Sequence, residues 1–132
     1  MPTIFTRIIN GEIPSYKLGE TDDHYAFLDI RPMTKGHALV IPKREVDYIF
    51  NLEDAELAGL MVFAKRVARA LEAEVDCKRI GVAVVGLEVP HTHVHLMPIN
   101  SIGDIGFGRP PVEVSEAEMT DLAERVRRRV EA

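Results

Sequence analysis

Residues 91–98 read His91-Thr92-His93-Val94-His95-Leu96-Met97-Pro98, and the fold turns on how this stretch is read. Alternation of one residue type with its neighbours has the two-residue period of a strand, in which successive side chains point to opposite faces. His91, His93 and His95 are therefore expected on one face, and Thr92, Val94 and Leu96 on the other. Alternate Cα atoms of a strand lie roughly 6.5 to 7 Å apart, so the three imidazoles form a row. Histidine is uncommon core filling, and three together would repel one another if all were charged. Two chemistries suit such a row: three neutral rings holding Zn²⁺ with an open position, or a central nucleophile supported by its neighbours. The triplet alone leaves both open.

Moving outward, residues 79–85 are rich in β-branched side chains and precede the triplet across a turn containing Gly86 and Pro90, which predicts two neighbouring strands. Residues 16–20 and 24–29 read as two short strands joined by the polar turn Thr21-Asp22-Asp23, and residues 37–42 as a buried third. Between these groups, Leu57, Leu60, Met61, Ala64, Val67, Ala68 and Leu71 recur at three- and four-residue steps, predicting one long helix over residues 53–75. A short helix capped by Thr3 and stopped by Asn10-Gly11 opens the chain. A final helix, capped by Ser115 with Glu118 three residues on, closes it, with Met119, Leu122, Val126 and Val130 on its apolar side. The expected architecture is α+β: about five strands, mostly antiparallel, with one long helix and a C-terminal helix, all in a single domain over residues 1–132.

Composition narrows the function. A net charge of -5 argues against binding extended nucleic acid, which needs clustered Lys and Arg, and the run Arg127-Arg128-Arg129 lies where a helix C-terminus favours positive charge. One cysteine, Cys77, builds neither a disulfide nor a Cys-x-x-Cys site. The first residues lack the apolar run of a signal peptide and no stretch is long and apolar enough to span a bilayer, so no membrane partner and a cytoplasmic location are expected.

The pattern His91-Thr92-His93-Val94-His95-Leu96-Met97 resembles the hallmark of the histidine-triad (HIT) family, with only Thr92 departing from its apolar positions. The likeness extends to residues 4–14 (Ile4-Phe5-Thr6-Arg7-Ile8-Ile9-Asn10-Gly11-Glu12-Ile13-Pro14), to Ala26-Phe27-Leu28-Asp29-Ile30-Arg31-Pro32 and to Gly36-His37-Ala38-Leu39-Val40-Ile41-Pro42-Lys43, all in family order. The resemblance implies a homodimer in which two sheets become continuous, and a purine nucleotide or nucleotide conjugate as ligand, with no cofactor and no metal. It nominates His93 as the nucleophile, with His95 and His91 in support and His95 as the acid for an amine leaving group. It nominates Ile4, Phe5, Ile8, Ile13, Phe27 and Leu28 as the apolar cleft for the base, and Asp29 as acceptor for the ribose hydroxyls. The implied reaction is cleavage of nucleoside phosphoramidates or related adenylyl conjugates at the α-phosphorus. The alternatives are a dinucleoside polyphosphate hydrolase, a weakly catalytic nucleotide-binding module, or a metal protein using the histidine row.

Two departures from the family matter. Relatives often carry Gly-Gln-x-Val before the triad, whose Gln helps hold phosphate, whereas this chain has Gly86-Leu87-Glu88-Val89; Asn100 and Ser101 are possible replacements, though a loop Asn-Ser pair is usually turn chemistry. Some bacterial relatives bind structural zinc at positions that correspond here to Thr3, Thr6, His37 and His91, and the threonines rule that zinc out. His24 lies outside every motif and carries no expected function.

Overall fold

The computed structural model describes residues 2–132. Five strands, β1 (Lys17–Glu20), β2 (His24–Leu28), β3 (Ala38–Pro42), β4 (Arg79–Ala83) and β5 (Val94–Ile99), form one sheet in the order β1-β2-β3-β5-β4, and every neighbouring pair is antiparallel. Three helices accompany it: α1 (Ile4–Ile9), α2 (Asp54–Glu74) and α3 (Glu116–Glu131). The capping signals act as read. The Thr3 hydroxyl accepts from the Thr6 amide at the start of α1, Gly11 takes φ +79° after its end, and the Ser115 hydroxyl accepts from the Glu118 amide at the start of α3.

Each strand's alternation divides the core into two. Ala26, Leu28, Ala38, Val40, Val94 and Leu96 face α2 and α3 and pack with Leu60, Val67, Leu71, Leu122 and Val126. Tyr25, Phe27, Leu39 and Ile41 face the other way and are covered by Phe5 and Ile8 of α1. The first layer buries the aliphatic mass; the second is thin and aromatic, and it is the layer on which the histidines lie.

The buried stripe of α2 differs from the expected one in two ways. Phe63 and Ala70 belong to it, while Met61 is 38% exposed, because the face that meets the sheet runs through positions 60, 63, 64, 67, 70 and 71. The ring of Phe63 stacks on His24 with centroids 5.4 Å apart, which gives His24 a packing role.

The strand was expected over residues 91–98, but β5 starts at Val94, whose partner Val40 is the last pair of the β3–β5 ladder. Two residues beyond Val40 stands Pro42, which has no amide hydrogen to extend the ladder. Residues 91–93 are held instead by other bonds: the Thr92 amide donates to the Val46 carbonyl at 2.7 Å, and the His91 amide to Val89 at 2.8 Å. The segment remains extended enough to keep the alternation, so the histidines still share a face.

Leu60 is fully buried at the centre of the helix-side core. Leu60→Ala is expected to lower unfolding stability by about 2–5 kcal/mol, checked by urea denaturation with the slope unchanged.

Candidate active site

The aromatic face of the sheet carries an ordered row. The Phe5 ring lies 5.1 Å from His93 and 5.8 Å from His91; His93 lies 5.0 Å from His95; and His95 lies 5.2 Å from His37 and 4.8 Å from Phe107. His37, just before β3, was not among the expected site residues, although a histidine opening a buried strand is a signal of the same kind as the triplet. His37, His91, His93 and His95 are all buried.

A neutral imidazole has one N–H and one bare nitrogen, and at each ring the neighbours decide which is which. The His93 Nδ1 lies 2.7 Å from the carbonyl oxygen of His91, an acceptor only, so Nδ1 carries the hydrogen and Nε2 keeps its lone pair. The His91 Nε2 lies 2.7 Å from the carbonyl of Pro42 and must likewise donate, so the His91 Nδ1 accepts from the Thr3 hydroxyl at 2.8 Å. The amide of Met33 donates to the His37 Nδ1 at 3.0 Å, which puts the His37 hydrogen on Nε2. That hydrogen points to the His95 Nδ1 at 2.9 Å, leaving the His95 hydrogen on Nε2. One ring, His93, thus presents a bare Nε2, and its neighbour His95 an Nε2–H.

Burial pushes His37 and His91 below the ordinary histidine value, and burial together with His37 and His93 pushes His95 down to about 3. Protonating His95 would also put a hydrogen on Nδ1, opposite the Nε2–H of His37. In this geometry His95 presents its Nε2–H as a hydrogen-bond donor.

The nominated binding residues divide. Phe5, Ile8 and Phe27 belong to the aromatic layer with Ile13 packed against it, and the rings of Phe5 and Phe27 are 5.6 Å apart. Ile4 is half exposed at the edge. Leu28 is in the helix-side core, because it alternates with Phe27, so it does not join the others. Asp29 serves its turn through Oδ1, which accepts from the Arg31 amide at 2.9 Å, while Oδ2 lies 3.7 Å from the His37 Nε2. Asn100 and Ser101 sit in a turn, their amides donating to Asp104.

A cavity of about 250 Å³ opens beside His95, with Asp29, His37, Glu88, Phe107, Arg31 and Arg109 in its lining. Leu87 is 87% exposed and outside that lining. The Arg109 guanidinium is held by the carbonyl oxygens of Asp104 and Gly106, which fix it without neutralising it. Arg109 and Phe107, in a glycine-rich loop, carried no signal in the sequence.

Ligating atoms of Asp29, His37 and His95 lie within 4.8 Å of one another, the spacing of a metal site. The donor set does not suit an ion: the His37 Nδ1 already accepts the Met33 amide, so its Nε2 keeps a hydrogen where a ligand needs a lone pair. The grouping of His37 with His91, Thr3 and Thr6 is also not what the fold builds, since His37 pairs with His95 and the fourth member beside the threonines is Glu45. The Cys77 thiol is pushed up by burial and by the neighbouring Glu72 and Asp76.

Histidines held neutral in the fold make stability depend on pH. Between the ordinary histidine value near 6.5 and the depressed folded values, the unfolded chain binds more protons, so stability is complete above pH 6.5 and falls as pH falls. His95 alone should remove about 2 kcal/mol between pH 7 and pH 5, before the carboxylates titrate. Urea unfolding at the two pH values checks this, and an unchanged midpoint contradicts it.

The fold agrees with that of known proteins. A family model described as "HIT domain" matches residues 10–102. The adenosine 5'-monophosphoramidase hnt1 of Schizosaccharomyces pombe is 36% identical over 128 residues, covering 96% of each chain. Among solved structures, a hypothetical histidine triad nucleotide-binding protein of Sulfolobus tokodaii superposes with a TM-score of 0.80 at 26% identity, covering 96% of this chain and 91% of that one. A Zn-bound histidine triad family protein of Mycobacterium smegmatis gives 0.79 at 25% identity, covering 97% and 92%. With the histidine row, the five-stranded antiparallel sheet and the match across most of its length, this chain belongs to the HIT family.

Proposed function

We propose that the protein is a nucleotide hydrolase that cleaves nucleoside phosphoramidates at the α-phosphorus through a nucleotidyl-histidine on His93. The observation that carries this reading is the 2.7 Å bond from the His93 Nδ1 to the His91 carbonyl, which places the hydrogen of the neutral ring on Nδ1 and its lone pair on Nε2. The substrate class is supported by the fission-yeast relative, named as an adenosine 5'-monophosphoramidase.

In this mechanism the Nε2 lone pair forms a bond to phosphorus and the P–N bond breaks. The bonding pair leaves on the nitrogen, which takes up one proton from solvent in addition to the hydrogen it already carries and departs as the neutral amine. The His91 carbonyl accepts from Nδ1–H throughout and stabilises the positive charge that grows on the ring. The His95 Nε2–H donates to a phosphoryl oxygen, aided by the backbone amide at position 93, where negative charge is concentrated. Water then attacks the phosphorus, the N–P pair returns to Nε2, and the nucleoside monophosphate leaves with one proton lost to solvent. The base takes the slot formed by Phe5, Ile8, Ile13 and Phe27, with Ile4 at its edge, and the ribose hydroxyls donate to Asp29. Arg31 and Arg109, which line the cavity, supply the phosphate-holding donors that the Gln amide supplies in relatives, since Leu87 stands in its place.

Two copies pair in this reading through β4. That strand ends the sheet with no partner on its outer side among the described residues and carries exposed Val82, followed by exposed Val84 and Val85. An apolar free edge is a template for pairing with another chain.

His93→Ala should abolish turnover of an adenosine phosphoramidate and the covalent adduct seen by mass spectrometry of acid-quenched enzyme, with AMP affinity within a few-fold of the parent. Turnover near the parent rate sinks the mechanism. In sedimentation analysis the parent chain is expected at twice its monomer mass of 14.8 kDa, and Val82→Lys at the monomer mass; a parent that runs as a monomer removes the dimer.

A further inference from the structure

The buried face of His91 turns away from His93 and toward the start of the chain. There a compact set of bonds joins three segments distant in sequence. Glu45, just after β3, accepts through a single oxygen from the Thr3 amide at 2.5 Å and from the Thr6 hydroxyl at 2.7 Å. The Thr3 hydroxyl accepts from the Thr6 amide at 3.1 Å and gives its own hydrogen to the His91 Nδ1 at 2.8 Å. On its other side, the His91 Nε2–H is taken by the Pro42 carbonyl at 2.7 Å, and the His91 carbonyl takes the Nδ1–H of His93.

We propose that Glu45 and Thr3 are positioning residues that set the nucleophile: Glu45 holds Thr3, Thr3 fixes the tautomer and tilt of His91, and the carbonyl of His91 fixes the hydrogen of His93 on Nδ1. The inference rests on the reading of His93 as nucleophile, but its structural half stands apart from it.

The chemistry at each link has one direction. Glu45 offers acceptors only, so it orients the Thr3 amide and the Thr6 hydroxyl as donors, which leaves the Thr3 hydroxyl hydrogen free for His91. Thr3 is half buried and His91 fully buried, so a His91 Nδ1 without that hydroxyl would have no water within easy reach to replace it. The hydrogen bonds from Thr3 and Thr6 also hold the Glu45 carboxyl below the usual carboxylate range, so it stays an acceptor throughout the working pH range of a neutral-pH enzyme. The same bonds seat α1, whose Phe5 ring rests against both His91 and His93. Docking of the N-terminal helix and readiness of the nucleophile are thereby one event.

The test uses a nearly isosteric pair, Thr3→Val, which removes the hydroxyl, and Thr3→Ser, which keeps it, together with Glu45→Gln and Glu45→Ala. The two readouts are steady-state kinetics with an adenosine phosphoramidate and ¹⁵N spectra of the histidine rings. Thr3→Val is expected to lower kcat about tenfold with KM changed less than threefold, and to shift the His91 Nδ1 resonance toward a free acceptor while the His93 Nδ1–H signal broadens. Thr3→Ser should restore both, Glu45→Gln should keep most of the activity through its remaining carbonyl acceptor, and Glu45→Ala should follow Thr3→Val. Unchanged kcat and ring spectra in Thr3→Val overturn the proposal, as does a loss that Thr3→Ser fails to restore. If Thr3→Val proves too unstable to study, Glu45→Ala carries the same two readouts. Should the parent chain show no phosphoramidate turnover, the function reading fails, while the ring spectra still decide whether Thr3 and Glu45 set the tautomers.

Discussion

Four imidazoles packed on one face of a sheet face a severe constraint, because each buried neutral ring has one hydrogen and one lone pair and must match both to its neighbours. The bond from the His93 Nδ1 to the His91 carbonyl is the point at which that matching becomes chemistry. Everything nearby makes it possible. Pro42 ends the ladder with β3 and turns its carbonyl toward the His91 Nε2; the bond of Thr92 to Val46 keeps the segment extended outside the sheet; and Phe5 closes the row from above. Had the strand continued through residue 91, the carbonyl of His91 would have faced a neighbouring strand and not the ring two residues on.

The second half of the row obeys the same logic in the opposite sense. Starting from the Met33 amide, the hydrogens run through His37 to His95 and end on the His95 Nε2. The site therefore holds a lone pair and a hydrogen-bond donor on adjacent rings 5.0 Å apart. The cations come from elsewhere, Arg31 and Arg109 at the cavity mouth, in a chain whose overall charge is negative.

Much of this was legible in the sequence because it depends on periodicity and capping, which are local. The alternation in residues 91–98 predicted the shared face, and the apolar steps through Leu60, Val67 and Leu71 predicted the long helix and its buried side. What was not legible depends on contacts between segments far apart. His37 meets His95 across 58 positions and Glu45 meets Thr3 across 42, and neither pairing leaves a local pattern. Leu28 was misplaced for a related reason: a contiguous motif was read as one surface, although consecutive strand residues must part to opposite faces. Phe107 and Arg109 lie in a loop whose glycines and prolines announce irregular backbone and nothing about which side chain turns inward.

The chemistry of the row depends on where the hydrogens of the four rings sit, and long-range ¹H–¹⁵N correlation spectra of the histidines near pH 7 test them directly. The prediction is one ring with its hydrogen on Nδ1, His93, and three neutral rings with hydrogen on Nε2, His37, His91 and His95. A His93 ring with its hydrogen on Nε2, or a doubly protonated His95 at neutral pH, would contradict it.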